Sequence, residues 1–160
     1  LTQRTTGPRC AAEVTIDASG LMEGDIAGLC AFQGCYAYAA ITRRQGSWHA
    51  IMAERNALHP DNTAERHYDE IPVEVESLPL PSPQVTFRLE IDYTDNAAIP
   101  RVSLCGQTPV DPIGHPHRLW FKLDHFTGCR FALFTQATQH VGGHADFMRF
   151  RYHDASDMGA

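Results

Sequence analysis

Lysine is almost absent from this 160-residue sequence, since Lys122 is the only one. Arginine therefore supplies nearly all of the 13 positive charges, against 19 Asp and Glu. The formal net charge of −6 and the lack of a basic patch argue against nucleic acid or an anionic membrane as a partner. No apolar run approaches the roughly 18 residues of a membrane-spanning helix.

The sequence also lacks a Cys-x-x-Cys pair, and its five cysteines are an odd number. Free thiols are therefore favoured over a disulfide framework, although Cys30 and Cys35 are close enough to bridge neighbouring strands. No leader segment follows Leu1, which is not a Met, so we expect the chain to begin inside a longer protein or after processing. The cysteine count and the missing leader favour a reducing, cytoplasmic compartment only slightly.

The length fits one domain and is too short for a barrel enzyme of about 250 residues. Hydrophobic residues make up 43% of the chain, which is enough for a real core. We predict a single module over residues 1–153 and a loose polar tail over residues 154–160. The sequence does not indicate an oligomeric state.

Short strands separated by frequent Gly and Pro residues are predicted along the whole chain. Only residues 50–58 could alternatively form a helix. The clearest strand is 85–93, where apolar and polar residues alternate. Pro79, Pro81 and Pro83 predict a connection, because proline interrupts strand ladders. This pattern indicates an antiparallel sandwich or barrel. The predicted strands are 12–17, 27–32, 36–42, 47–54, 71–76, 85–93, 101–105, 118–122, 129–135 and 144–152.

Two pairs of acidic residues could suggest a small glycosidase, which needs two carboxylates about 5–10 Å apart. Glu90 and Asp92 share one face of a strand, as do Glu74 and Glu76 on another strand, because residues i and i+2 point the same way. The simpler interpretation is that both pairs lie on the solvent side of half-buried strands. Catalytic carboxylates are therefore not assigned.

Metal sites have little support in the spacing of the nine histidines. His115 and His117 flank a proline in a Gly/Pro-rich segment with no second ligand pair, so we interpret them as surface histidines. Asp25 and Asp146 are weak candidates for a structural calcium site, and neither lies in an EF-hand-like loop. No other cofactor is expected.

Exposed aromatic rings are a further candidate feature, since they stack on the apolar faces of sugars. Most rings in a chain of this size fill the core. The candidates for sugar binding are Tyr36, Tyr38, Trp48 and Trp120.

Four blocks in order carry a more specific resemblance: LTQRTTGP at 1–8, GDIAGLCAFQ at 24–33, FTGCRFALF at 126–134 and GGHADFMRF at 142–150. Together they resemble the C-terminal β-sandwich domain of family 43 glycoside hydrolases, chiefly β-xylosidases. The sequence differs from the family pattern at residues 102–107 and 48–69. In the last block, Met148 stands where the family pattern has a second Asp.

The resemblance implies an all-β, concanavalin A-like jelly-roll sandwich of two antiparallel sheets. It implies an accessory module of a β-xylosidase or arabinofuranosidase, without catalytic residues, that docks on a five-bladed catalytic propeller absent from this chain. A loop carrying a Phe would help to close the propeller's pocket; Phe126 matches best, and Phe32 with Gln33 is the second candidate. The alternative is a stand-alone module that binds xylan or xylo-oligosaccharides.

Overall fold

The structure is a computed structural model that describes residues 1–59, 62, 64, 67–104, 111–120 and 128–158. These residues form twelve strands and no helix. The strands are β1 (Thr2–Arg4), β2 (Arg9–Asp17), β3 (Ile26–Phe32), β4 (Tyr36–Arg44), β5 (Ser47–Arg55), β6 (Val73–Leu80), β7 (Gln84–Asp92), β8 (Ala97–Leu104), β9 (Asp111–Pro112), β10 (His117–Arg118), β11 (Arg130–Gln136) and β12 (Asp146–His153).

Two antiparallel sheets pack face to face. The first sheet has the order β1-β11-β3-β4-β5-β6, and the second has the order β10-β8-β7-β2-β12 with β9 paired to β8. Strand β11 lies between β1 and β3, so a late strand is inserted among early ones, as in jelly rolls. The predicted concanavalin A-like sandwich is confirmed.

The core lies between the sheets and follows the alternation of the sequence. On β7, Phe87, Leu89 and Ile91 are fully buried, and they face Leu29 and Ile41 of the first sheet in one apolar cluster. Residues between them on β7 carry polar side chains to the outside. A half-buried strand of this kind is the easiest to predict from sequence.

Two details of the first sheet differ from the sequence expectations. Pro79 lies inside β6, opposite His49, rather than in a connection. This is possible because β6 is an edge strand, where a missing N–H is tolerated. The stretch that could be argued as helix is β5, whose residues Ala50 to Ala53 are buried on both faces and therefore show no alternation.

At the other boundaries, the predicted strand 118–122 corresponds to β10, of which only His117 and Arg118 are paired among the described residues. Strand β8 begins at Ala97, four residues before the predicted start.

Residues 154–158, the described part of the predicted tail, make contacts of their own. Asp154 accepts the N–H of Ser156 at 2.9 Å, and Met158 Sδ lies 3.1 Å from Arg88 Nη2. No helix in the described part of the chain has the length and hydropathy that a membrane crossing requires.

Candidate functional site: an aromatic groove on the first sheet

The centre of the outer face of the first sheet is apolar. Its central side chains form a second apolar cluster, outside the main core. The pleat explains this cluster, because alternate residues of β3, β4, β5 and β11 point away from the main core. The cluster consists of Cys30, Tyr38, Ala40, Ile51, Ala53 and Ala132, with Ile26, Tyr36 and Phe134 packed against it.

A groove of about 320 Å³ runs along this face, and we call it the aromatic groove. Four rings follow one another along it: Phe32 and Tyr36 have centroids 6.4 Å apart, as have Tyr36 and Tyr38, and Tyr38 lies 5.0 Å from Phe134. Phe32 is 45% exposed at one end of the series, whereas Tyr38 is buried. The remaining lining comes from Leu1, Thr2, Cys30, Pro72, Ala132, Leu133 and Gln136.

Burial also fixes the protonation of the groove's ionisable groups. It raises the pKa of Tyr38 to about 12, and it raises the pKa of the Cys30 thiol well above its ordinary value. Both groups are therefore neutral near pH 7, and Cys30 is a poor nucleophile. The cysteines that the structure describes form no disulfide: Cys10, Cys30, Cys35 and Cys129.

The predicted sugar-binding rings are only partly brought together. Tyr36 and Tyr38 line the groove, but Trp48 packs against the main core with the Arg43 guanidinium 5.4 Å from its ring. Trp120 is covered by the Arg118 guanidinium at 3.8 Å. The two tryptophans therefore do not form a shared platform with the two tyrosines.

The turn between β3 and β4 carries Phe32 and Gln33 at one end of the groove. Gln33 is only 6% exposed, and its Nε2 has no hydrogen-bond partner in the part of the chain that the structure describes. A buried donor without a partner is costly. Phe126 lies outside the described residues.

A row of side chains that the sequence analysis did not anticipate crosses the same end of the sheet. Arg4 pairs with Arg130, and Arg130 pairs with Phe32 on the next strand. Beyond the β3–β4 turn, Tyr36 pairs with Arg55. We call Arg4, Arg130, Phe32, Tyr36 and Arg55 the arginine–aromatic row. No local motif could indicate it, because strand pairing joins distant segments.

The acidic pair Glu90 and Asp92 is engaged in ion pairs. Glu90 accepts from Arg88 Nε at 2.9 Å and lies 3.2 Å from Arg101 Nε. Asp92 is buried rather than solvent-facing, and it binds Arg9 at 2.7 Å. Burial raises the pKa of Asp92, but hydrogen bonds from the following turn and from Arg9 lower it further than burial raises it. The environment of Asp92 does not resemble that of a general acid with a raised pKa.

Glu74 and Glu76 do not share a face, so that expectation is wrong. A register shift lies between them: Glu76 pairs with Met52 of the core-facing side, whereas Glu74 pairs with Ala53 of the outer side. An extra residue in one strand reverses the alternation beyond it. Glu74 forms an ion pair with Arg44, and Glu76 accepts the N–H of Gly114.

His117 is also misassigned by the surface interpretation, because it is 1% exposed. Its Nδ1 lies 2.8 Å from Glu54 Oε2, and exposed His115 reaches the other oxygen of Glu54 at 3.2 Å. Pairing of β10 with β8 carries His117 inside the sandwich, and a buried polar group is stabilised by such a partner.

The described residues contain no group of three His, Cys, Asp or Glu side chains that could hold a metal ion. Asp25 is buried, with Oδ2 accepting the N–H of Met22 at 2.9 Å, while its Oδ1 has no hydrogen-bond partner among the described residues. Asp146 is exposed at the start of β12, opposite Asp17. A calcium site at Asp25 or Asp146 stays a prediction.

Solved structures show what this chain is similar to. It is 37% identical to a bifunctional GH43-CE protein of Bacteroides eggerthii, with a TM-score of 0.82, over 96% of this chain and 18% of that one. An engineered GH43 glycoside hydrolase with endo-xylanase and exo-arabinofuranosidase activity is 19% identical, with a TM-score of 0.84, over 96% of this chain and 30% of that one.

A third structure, the xylan β-1,4-xylosidase of Bacillus halodurans C-125, is 19% identical with a TM-score of 0.72, over 96% of this chain and 29% of that one. The chain thus spans less than a third of each of these proteins. A search of proteins with curated functions gave no match. The family described as "Beta xylosidase C-terminal Concanavalin A-like domain" matches residues 1–153. The chain belongs to this family of C-terminal domains of family 43 glycoside hydrolases.

Proposed function

We propose that this chain is the accessory module of a family 43-type β-xylosidase or arabinofuranosidase, where it docks on the catalytic propeller and helps to shape its pocket. The observation that carries the proposal is the β3–β4 turn. It combines an exposed ring, Phe32, with a buried amide donor, Gln33, whose Nε2 has no hydrogen-bond partner among the described residues. Both features are explained if a partner surface covers the turn.

The contrast between the two outer faces supports this placement. On the second sheet, Glu13, Arg88, Glu90, Arg101 and Arg151 form a connected set of ion pairs, as expected of a face in water. The first sheet instead presents the aromatic groove. Beside it, Pro72 lines the groove while the neighbouring Ile71 and Val73 are 74% and 57% exposed. Clustered exposed apolar side chains are typical of an interaction surface.

The catalytic carboxylates, in this proposal, belong to the propeller. The side chains of Glu74, Glu90 and Asp92 are held by arginines, and that of Glu76 accepts a backbone N–H. A glycosidase needs a pair of carboxyl groups with separated pKa values. The isolated chain is therefore not expected to hydrolyse an aryl xyloside. Turnover by the isolated chain that Glu90→Gln abolishes would contradict the proposal.

The docking proposal predicts a kinetic effect of Phe32→Ala in the enzyme that carries this module. We expect kcat/KM for an aryl xyloside to fall about tenfold, because burying a Phe ring is worth about 1.5–3 kcal/mol. The matched control is Phe150→Ala, a ring 39% exposed on β12 of the other sheet, which should leave kcat/KM unchanged. Equal effects of the two variants would argue against docking through the turn.

Gln33→Leu separates the module's own stability from its docking. In the isolated chain, the free energy of unfolding should stay the same or rise by about 1 kcal/mol, because a buried donor without a partner is removed. In the enzyme, the same variant should weaken the contact between the two domains and lower the temperature at which they separate. Calorimetry of both forms measures this, and a clear loss of stability in the isolated chain would refute the role given to Gln33.

The second candidate function, a carbohydrate-binding module for xylan or a related polysaccharide, is favoured by the groove itself. Mostly apolar clefts of about 300–1,000 Å³ with a few polar groups are usual ligand sites, and the aromatic groove lies at the lower end of that range. Tyr36 and Tyr38 are the predicted sugar-binding residues that line it. Binding of xylo-oligosaccharides to the isolated chain, measured by calorimetry, tests this function.

A further inference from the structure

The arginine–aromatic row brings two arginines into register on neighbouring strands. Arg4 and Arg130 are cross-strand partners, so their side chains leave the sheet on the same face. That face is the outer one, since Thr2 and Ala132, two residues further along the same strands, line the aromatic groove. Arg4, Arg130 and Phe32 therefore follow one another on three neighbouring strands, with both arginines on the same side of the exposed Phe32 ring.

Like charges in register repel each other and weaken a sheet unless an anion compensates them. Neither Arg4 nor Arg130 has a carboxylate partner among the residues that the structure describes. By contrast, Arg44 on the same face is paired with Glu74. The chain carries a net charge of −6, so the local positive charge of Arg4 and Arg130 does not reflect an excess of basic residues.

We propose that this end of the groove binds an acidic saccharide, whose carboxylate is held by Arg4 and Arg130 and whose ring packs on Phe32 and Tyr36. Guanidinium groups match the geometry of a carboxylate with two parallel hydrogen bonds. The two rings are tilted by only 33° and offer adjoining apolar surfaces to the C–H face of a sugar.

The dimensions of the groove fit a small saccharide. Its volume of about 320 Å³ lies at the lower end of the range for small-molecule clefts and suits a ligand of one or two sugar rings. Thr2, Gln136 and the hydroxyls of Tyr36 and Tyr38 supply hydrogen-bonding groups along its walls. Burial raises the pKa of both tyrosines, so their hydroxyls remain able to donate.

This inference does not depend on docking, since it concerns binding by the isolated 160-residue chain. The two proposals share Phe32, so the variants that test saccharide binding are those of the two arginines. A failure of one proposal therefore leaves the other to be judged on its own variants.

The test compares two probes that differ by one acidic sugar: xylotriose that carries a single glucuronic acid substituent, and unsubstituted xylotriose. We expect calorimetry of the isolated chain to show at least tenfold tighter binding of the acidic probe, which corresponds to about 1.4 kcal/mol. Its Kd should rise with salt, because the contact is between charges. Equal affinity for both probes, or no binding of the acidic one, would overturn the proposal.

Variants then locate the site. Arg4→Gln and Arg130→Gln should each remove most of the preference for the acidic probe, while Arg130→Lys, which keeps the charge but not the planar fork, should be intermediate. The control is Arg151→Gln on the opposite sheet, where the side chain is 64% exposed; it should bind like the original chain. Arg4→Gln removes a repulsion, so thermal unfolding should show unchanged or slightly raised stability.

Two further outcomes count against the proposal. If free glucuronate or sulfate binds as tightly as the acidic probe, the row is a simple anion site without sugar recognition. If the acidic probe binds equally well to both arginine variants, the carboxylate is held elsewhere.

Discussion

Replacing Gly28 with alanine should lower the free energy of unfolding by about 3 kcal/mol. Gly28 lies on β3 in the middle of the outer face, paired with Ala40 of β4. A Cβ at this position would lie 2.4 Å from the carbonyl oxygen of Ala39 and 2.6 Å from the Cβ of Ala40. The obstructing atoms belong to the neighbouring strand, so relief requires β3 and β4 to separate.

Urea unfolding of the isolated chain measures this effect. The control is Gly7→Ala, where the nearest atom to a new Cβ is Tyr93 Cδ2 at 3.8 Å, an ordinary van der Waals contact. We expect that control to stay within about 0.5 kcal/mol of the original chain. Similar stabilities for the two variants would mean that β3 and β4 can adjust without cost, and that the floor of the groove is more adaptable than its packing indicates.

The fold could be predicted because its strands keep a readable periodicity. Strand β7 alternates strictly, since one side packs in the core and the other faces ion pairs at the surface. Strand β6 could not be placed correctly, because a register shift and an edge position both override the rules for a regular strand. These are properties of pairing, which a local pattern does not contain.

The candidate site was predicted in part. Phe32, Gln33, Tyr36 and Tyr38 were identified by their resemblance to a family block or by residue type, and all four lie at or near the aromatic groove. The arginines were missed, because Arg4 and Arg130 are 126 positions apart and meet only through the pairing of β1 with β11. A sequence signal for them would require knowledge of the strand order.

The other large effect is expected from Glu54→Ala, which should lower the free energy of unfolding by about 3 kcal/mol. Glu54 on β5 and His117 on β10 connect the two sheets through a 2.8 Å hydrogen bond. Removal of the Glu54 carboxylate leaves the buried N–H of the His117 imidazole without an acceptor. Glu54→Gln keeps an acceptor oxygen and should cost much less, while exposed Glu70→Ala is the control and should have no measurable effect in urea unfolding.

The same contact should make stability depend on pH. Burial lowers the pKa of His117, and its hydrogen bond to Glu54 offsets this only in part. Burial raises the pKa of Glu54, but hydrogen bonds from His117 and Asn56 and nearby histidine charge lower it further than burial raises it, so Glu54 titrates below its usual range. Loss of stability just below neutral pH therefore reports His117. Protonation of His117 would also place a proton on its buried Nε2, for which the described part of the chain offers no hydrogen-bond partner.

Because the folded-state pKa of His117 lies below the unfolded value of about 6.5, its contribution is complete above about pH 6.5. The contribution is lost as the pH falls towards the folded-state pKa, with a slope of at most about 1.4 kcal/mol per pH unit. Urea unfolding between about pH 8 and 5 should show this slope in the original chain and in the exposed control His140→Gln. In His117→Gln, that part of the slope should disappear. Parallel pH profiles for all three proteins would show that His117 is not held neutral by the fold.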